Sequence, residues 1–213
     1  MWNYEKRLQY PINITTPNAK LAQFILSQYG GPDGEISAAM RYISQRYTMP
    51  NRASTAVLTD IATEELSHLE MVSTMVHQLT RNLTMEEIEN SGLGSYYIDH
   101  TVAVWPQAAA GVPFNACEFQ SKGDPITDLH EDLAAEQKAR STYDNILRVV
   151  GNMPEIADPI RFLRAREVVH YQRFGEALRM IQDDLDSRNF YGYNPAFDRP
   201  ATCLPAPETC RQQ

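Results

Sequence analysis

No apolar run in the 213-residue sequence approaches the roughly 20 residues that a membrane-spanning helix requires. The opening Met1-Trp2-Asn3-Tyr4-Glu5-Lys6 has no apolar stretch of the secretory kind, so the protein is expected to be made and kept inside the cell. Cysteine is scarce: Cys117 lies in the expected core and Cys203 and Cys210 near the end, too few for a disulfide framework. Positive charge is outnumbered, with 19 basic against 27 acidic residues, a net charge of −8 and no Lys/Arg cluster. Nucleic acid and anionic membranes are therefore not expected as partners.

What is present is a repeated helical pattern. Residues 1–17, with Pro11, Pro17 and β-branched Ile12, Ile14, Thr15 and Thr16, predict an extended arm across the surface. Asn18 is placed to cap a helix carrying Leu21, Phe24, Ile25 and Tyr29, which Gly30-Gly31-Pro32-Asp33-Gly34 breaks. From Glu35 an apolar stripe of Ile36, Ala39, Met40, Ile43 and Tyr47 is expected, interrupted by Tyr42. Past Pro50-Asn51, a second helix over about 52–80 places Leu58, Ile61, Glu65, His68, Val72, Met75 and Leu79 on one face.

Residues 81–125, rich in Gly and Pro among aromatics, read as a long crossover between two helical hairpins. Asp124-Pro125 opens a third helix, with Asp as cap and Pro at the first helical position, whose face runs Leu129, Leu133, Glu136, Arg140, Tyr143, Leu147 and Val150. A fourth, over about 155–183, presents Ile160, Leu163, Glu167, His170, Phe174, Ala177 and Ile181. The expected division is one domain over 1–183 and a Pro- and Tyr-rich tail over 184–213.

Glu65-Leu66-Ser67-His68 and Glu167-Val168-Val169-His170 each put a Glu and a His one turn apart on an otherwise apolar face. A carboxylate precedes both at nearly the same distance: Glu35 lies 30 residues before Glu65, and Glu136 lies 31 before Glu167. Burying an ionised carboxylate without a partner costs several kcal/mol, and a bound cation is the simplest partner. Alone, Glu35 reads as a favourable charge in a first helical turn and each Glu/His pair as a buried polar contact. Four helices contributing in register make a metal site the better reading. Tyr42 and Tyr143 extend the repeat, each seven residues after its Glu. Glu64, Glu70 and His77 fall off this face, and His130, Glu131 and His100 lack a partner in the pattern, so all six read as no part of the site. Arg161, Arg164, Arg166, Arg173 and Arg179 read as solvated or interfacial.

Two helices with a lone Glu and two with Glu-x-x-His resemble the ligand set of ferritin-like di-iron and di-manganese proteins. That resemblance implies an all-α, ferritin-like four-helix bundle with the long crossover between its second and third helices, an extended N-terminal arm and a C-terminal tail. Gly30-Gly31-Pro32-Asp33-Gly34-Glu35, Thr63-Glu64-Glu65-Leu66-Ser67-His68-Leu69-Glu70-Met71 and the segment Glu167 to His170 resemble the manganese catalases. Tyr10-Pro11, Leu93-Gly94-Ser95-Tyr96-Tyr97, Gly123-Asp124-Pro125-Ile126 and Phe174-Gly175-Glu176-Ala177-Leu178 resemble the spore-coat members of that family, the CotJC type.

The family resemblance implies that Glu35 and His68 bind one manganese ion, Glu136 and His170 a second, and that Glu65 bridges them. It implies Glu167 as general base and Tyr42 as a hydrogen-bonding tyrosine near the cluster. Some members place a basic side chain near the third-helix ligand, at positions that are Tyr143 and Ala135 here, and Arg140 is the expected stand-in. The implied reaction is dismutation of hydrogen peroxide. A homo-oligomer, a hexamer by resemblance, deposited in the spore coat with other coat proteins as partners, follows from the same likeness. Two alternatives stay open: a mainly structural coat protein with a vestigial site, and a di-iron oxidase or ferroxidase, since iron suits the same donors.

Overall fold

The computed structural model describes residues 5, 7–94 and 105–188. The expectations for Ser95-Tyr96-Tyr97, His100, the tail beyond Arg188, Cys203 and Cys210 lie outside the described residues. Among the described residues every named element is helical, with one isolated bridge between Gln107 and Pro113.

The arm before Asn18 runs without helix or strand and is tied down at both edges. Ile14, buried, donates its N–H to Gln78 Oε1 at 2.6 Å and accepts from Arg81 at 2.7 Å, while Thr15 N–H reaches Glu155 at 2.8 Å. Asn18 then caps α1 (Ala19–Gly30) by accepting from Leu21 N–H, as its residue type predicts. At the end of α1 only glycine fits position 30, because a β-carbon there would sit 2.1 Å from the backbone nitrogen of buried Gln107 in the crossover.

The turn over residues 31–34 re-aims the chain into α2 (Glu35–Gln45), so Glu35 is its first residue. A short 3₁₀ turn (Arg46–Thr48) follows, and Asn51 caps the long α3 (Arg52–Thr80). The crossover holds a small helix α4 (Met85–Asn90) closed by a Thr84/Glu87 capping box. Asp124 caps α5 (Pro125–Val150), with Pro125 at its start as expected, and α6 (Pro154–Arg188) runs five residues past the predicted end.

Helices α2, α3, α5 and α6 make the bundle, α2 against α3 and α5 against α6. The apolar stripe expected on α2 is buried only in part: Ala39 is buried and Ile43 packs against the core. Met40 and Tyr47 are exposed, at 46% and 70%, while Ser37, Arg41 and Gln45 are buried. The reason is the opposing face of α5, where fully buried Asp132 draws the Arg41 charge and the Gln45 amide toward it. A polar partner selected a polar face.

The apolar core is split in two. One half gathers Ile14, Leu21, Ile25, Met71, Met75, Leu79, Ile146 and Ile160. The other gathers Tyr42, Leu58, Ile61, Leu129, Phe174 and Ile181. Between Ala62 and Met71 on α3, and between Leu163 and Phe174 on α6, the interior side chains are acids and imidazoles.

Candidate metal centre

Six residues predicted from spacing meet in that layer. Glu35, Glu65, His68, Glu136, Glu167 and His170 are each 2% exposed or less. Helical period explains the convergence: each Glu-x-x-His projects from one face of α3 or α6, while Glu35 opens α2 and Glu136 sits midway along α5.

Glu65 is central. Its Oε2 lies 2.9 Å from Nδ1 of His68 and its Oε1 lies 2.7 Å from Nδ1 of His170. Each imidazole also faces a second carboxylate: His68 Nδ1 is 3.6 Å from Glu35, and His170 Nδ1 is 3.5 Å from Glu136. The two rings stack, with centroids 5.4 Å apart. Ligand atoms of Glu65, His68, Glu167 and His170 all fall within 4.8 Å of one another.

The residues fit a cation. Glu65 Oε1, Glu136 Oε2, Glu167 Oε1 and His170 Nδ1 are buried polar atoms without a hydrogen-bond partner among the described residues. Glu65 Oε1 and His170 Nδ1 are near each other yet not aligned as donor and acceptor, as two lone pairs sharing one ion would be. Charge points the same way. Burial and the Glu65 charge push the Glu35 carboxyl up to about 8. Burial, then the charges of Glu136, Glu65 and Glu35, push Glu167 well above the usual range. For Glu65, burial raises but the His170 and His68 charges outweigh it and hold it low. Burial opposes charge on His170, yet Glu65 lifts it to about 12. Four buried carboxylates compete here for too little positive charge, which divalent cations would supply.

Two tyrosines brace the acids. Tyr42 Oη donates to Glu136 Oε1 at 2.6 Å, and Tyr143 Oη donates to Glu35 Oε1. Tyr42 is the tyrosine expected beside the cluster, and Tyr143, its counterpart in the seven-residue repeat, takes the matching place on the other acid.

Glu64 corrects an expectation. Read as solvated, it has a side chain only 15% exposed and faces the outer nitrogens of both imidazoles, 3.0 Å from His170 Nε2 and 3.7 Å from His68 Nε2. Arg166 donates to it at 3.0 Å and Gln9, from the arm, at 2.6 Å. Burial alone would raise the Glu64 carboxyl, but the hydrogen bonds from His170 and Arg166, with the His68 ring close by, outweigh it and keep the group ionised. A carboxylate on the outer nitrogen leaves Nδ1 free for a metal. Arg166, read as solvated or interfacial, is the latter and is thereby part of the same assembly. No spacing signal marked Glu64, which stands one position, or about 100° of helix, from Glu65.

Arg140 is not brought to the site. Its guanidinium is held by Gln137 at 2.8 Å and by Asp144 at 2.7 Å, and Asp144 also accepts from Arg164 of α6. The buried arginine nearest in kind is Arg41 on α2, 1% exposed. His77 and His130 are exposed, as expected.

Comparison with known proteins accords with this geometry. The family model described as manganese containing catalase matches residues 1–190. Protein CotJC of Bacillus subtilis strain 168 is 49% identical over 191 residues, covering 90% of this chain and 100% of CotJC. A probable manganese catalase of Clostridium acetobutylicum is 30% identical over 192 residues, 89% of this chain and 85% of that one. The crystal structure of wild-type KatB, a manganese catalase from Anabaena, superposes with a TM-score of 0.75 at 30% identity, covering 91% of this chain and 85% of KatB. Its helical bundle is the ferritin-like fold expected from the ligand pattern. With buried acids and imidazoles in register on four helices and a family match over most of its length, the chain belongs to the manganese catalase family.

Proposed function

We propose that the protein is a dimanganese catalase that dismutates hydrogen peroxide to water and O2. The position of Glu65 supports this most directly: its two oxygens divide between the two inner imidazole nitrogens, with Glu35 and Glu136 at opposite ends. In this reading Glu35 and His68 hold one ion, Glu136 and His170 the other, and Glu65 bridges. Manganese, when bound, supplies the two-electron chemistry, taking electrons from one peroxide and returning them to the next. Carboxylate and imidazole donors suit manganese, iron and zinc, and the family favours manganese.

Glu167 takes the proton. Its Oε1 is buried and unpartnered at the cluster, and beside two dications its carboxylate is ionised, the reverse of its tendency among protein charges alone. Tyr42 and Tyr143 hold Glu136 and Glu35 in place, and Glu64 orients the His170 ring and faces that of His68. The apolar halves on either side exclude bulk water.

Oxygen evolution from hydrogen peroxide, with protein from manganese-supplemented cells and Glu65→Ala as control, tests this reading. Evolution lost in the variant supports it; none from manganese-loaded wild type overturns it. A second reading draws on Glu167, whose ligand atom groups with those of Glu65, His68 and His170. As a direct fourth carboxylate it suits a di-iron oxidase, and iron rather than manganese in the purified protein would favour that. By its likeness to CotJC we place the protein in the spore coat, and by the family resemblance we take it as a homo-oligomer, a hexamer, with a domain over 1–183 and a tail that serves assembly. Deleting 189–213 should then impair assembly and spare turnover, and sedimentation as a monomer at micromolar concentration would overturn the oligomer.

A further inference from the structure

A small cavity opens between α2 and α5 and ends on the acids of the cluster. Its floor is Glu35, Glu136 and Glu167, and its volume of about 10 Å³ is near the minimum that admits one water molecule. Three alanines make the space: Ala38 on α2, and Ala135 and Ala139 on α5. Toward the surface stands Asp33, a quarter exposed, paired with Lys138 at 3.4 Å and with Arg41 at 4.0 Å. Lys138 is 53% exposed, so this ion pair lies where solvent begins.

Arg41 gives the cavity its chemistry. Its side chain is 2% exposed and lines the space, yet only Nη2 has partners, the Pro32 carbonyl at 3.4 Å and Asp33. Nε and Nη1 are buried donors without a partner among the described residues. The charges of Asp132 and Asp128 balance the guanidinium, but its two idle donors still lack a hydrogen bond, which a small polar molecule in the cavity would supply.

We infer that this cavity is the route by which hydrogen peroxide reaches the acids, with Arg41 as the residue that receives it and the alanines as the size filter. The inference rests on the catalase reading for its substrate. Hydrogen peroxide is no wider than water and carries lone pairs on both oxygens, so it passes the alanines and accepts from Nε and Nη1. An alkyl hydroperoxide of the same polarity is too broad. Pore width and the donors that line it set such selectivity. Asp33 lines the cavity on its solvent side, and its pair with Lys138 is exposed enough to part at low cost.

The test uses manganese-loaded protein and two readouts: kcat/KM for hydrogen peroxide, and the relaxation of solvent water protons by bound Mn(II), which reports water access without turnover. Ala139→Leu should lower both by roughly tenfold with manganese content unchanged, a barrier increase of about 1.4 kcal/mol. Ala134→Leu, on the exposed face of the same helix, should change neither. Arg41→Lys, which keeps the charge but loses the Nε and Nη1 donors, should raise KM several-fold and leave kcat nearly unchanged. If Ala139→Leu fails to fold or to hold metal, Ala135→Val narrows the same wall and is read in the same way. Wild-type values of both readouts in a metal-replete narrowed variant would overturn the route. Absence of oxygen evolution from wild type would remove the catalase reading alone, since proton relaxation still decides whether the cavity is the way in.

Discussion

Tyr42 on α2 donates to Glu136 on α5 at 2.6 Å, and Tyr143 on α5 returns a hydrogen bond to Glu35 on α2. Each tyrosine follows its own helix's acid by seven residues, two turns on, so the exchange requires α2 and α5 to run in opposite directions. One pair of bonds thereby registers two helices and steadies both ends of the cluster.

Replacing either tyrosine by Phe removes one bond to a buried carboxylate. Tyr42→Phe and Tyr143→Phe should each weaken manganese binding by about 10-fold, within the range for groups that orient ligands. Both bonds brace one cluster between the same two helices, so the effects should couple in the double variant. Competition with a manganese chelator measures this, and unchanged affinity in both single variants would refute the bracing role.

Glu64→Gln keeps the shape but gives up the charge that Arg166 and both imidazoles address. Loss of the acceptor that sets ring orientation should reduce metal affinity by about 10- to 100-fold. Gln9→Ala, which removes only the contact from the arm at 2.6 Å, should do less. Chelator competition on the two proteins gives the order.

Asp132 supplies a pH dependence. Burial raises its carboxyl well above the usual aspartate range, against the pull of Gln45 and Arg41. A raised folded value means that stability is fully present below the unfolded value near 3.8 and is lost as pH rises through the folded one. Asp132→Asn removes that titration. The variant should therefore gain on wild type as pH rises. Denaturant melts from pH 5 to 9 check this, and a constant difference across the range would contradict it.

Gly30→Ala tests the seam between α1 and the crossover. The new methyl would meet the backbone of Pro106 and Gln107, not a yielding side chain, at 2.4 and 2.1 Å. A cost of about 2–4 kcal/mol is expected, because one of two backbones must move. In a chain of this size that lowers the melting temperature by roughly 5–15 °C, readable by calorimetry.

Helix starts, caps and the Glu-x-x-His faces were legible in advance because each depends on residues within one or two turns. Asn18, Asn51 and Asp124 cap where their residue types allow, and Glu65, His68, Glu167 and His170 point inward together because three residues is nearly one turn. The polar face of α2 was not legible. Met40 and Tyr47 look like core by residue type, and only the acids of α5 across the bundle explain why Arg41 and Gln45 are buried in their place. Glu64 escaped notice for a related reason: the arm, 55 residues away in sequence, carries the Gln9 that reaches it, and Arg166 comes from another helix.

The sequence by itself therefore determined the helices, their caps, the ligand-bearing faces and the family, since all of these are encoded in local spacing and residue type. Tertiary structure alone decided that Glu65 sits between two imidazoles, that Tyr42 and Tyr143 serve each other's helices, that Arg140 stays outside, and that Arg41 lines a cavity beside the acids. Those outcomes depend on which faces meet when four helices bury their apolar area together, and no single helix carries that information.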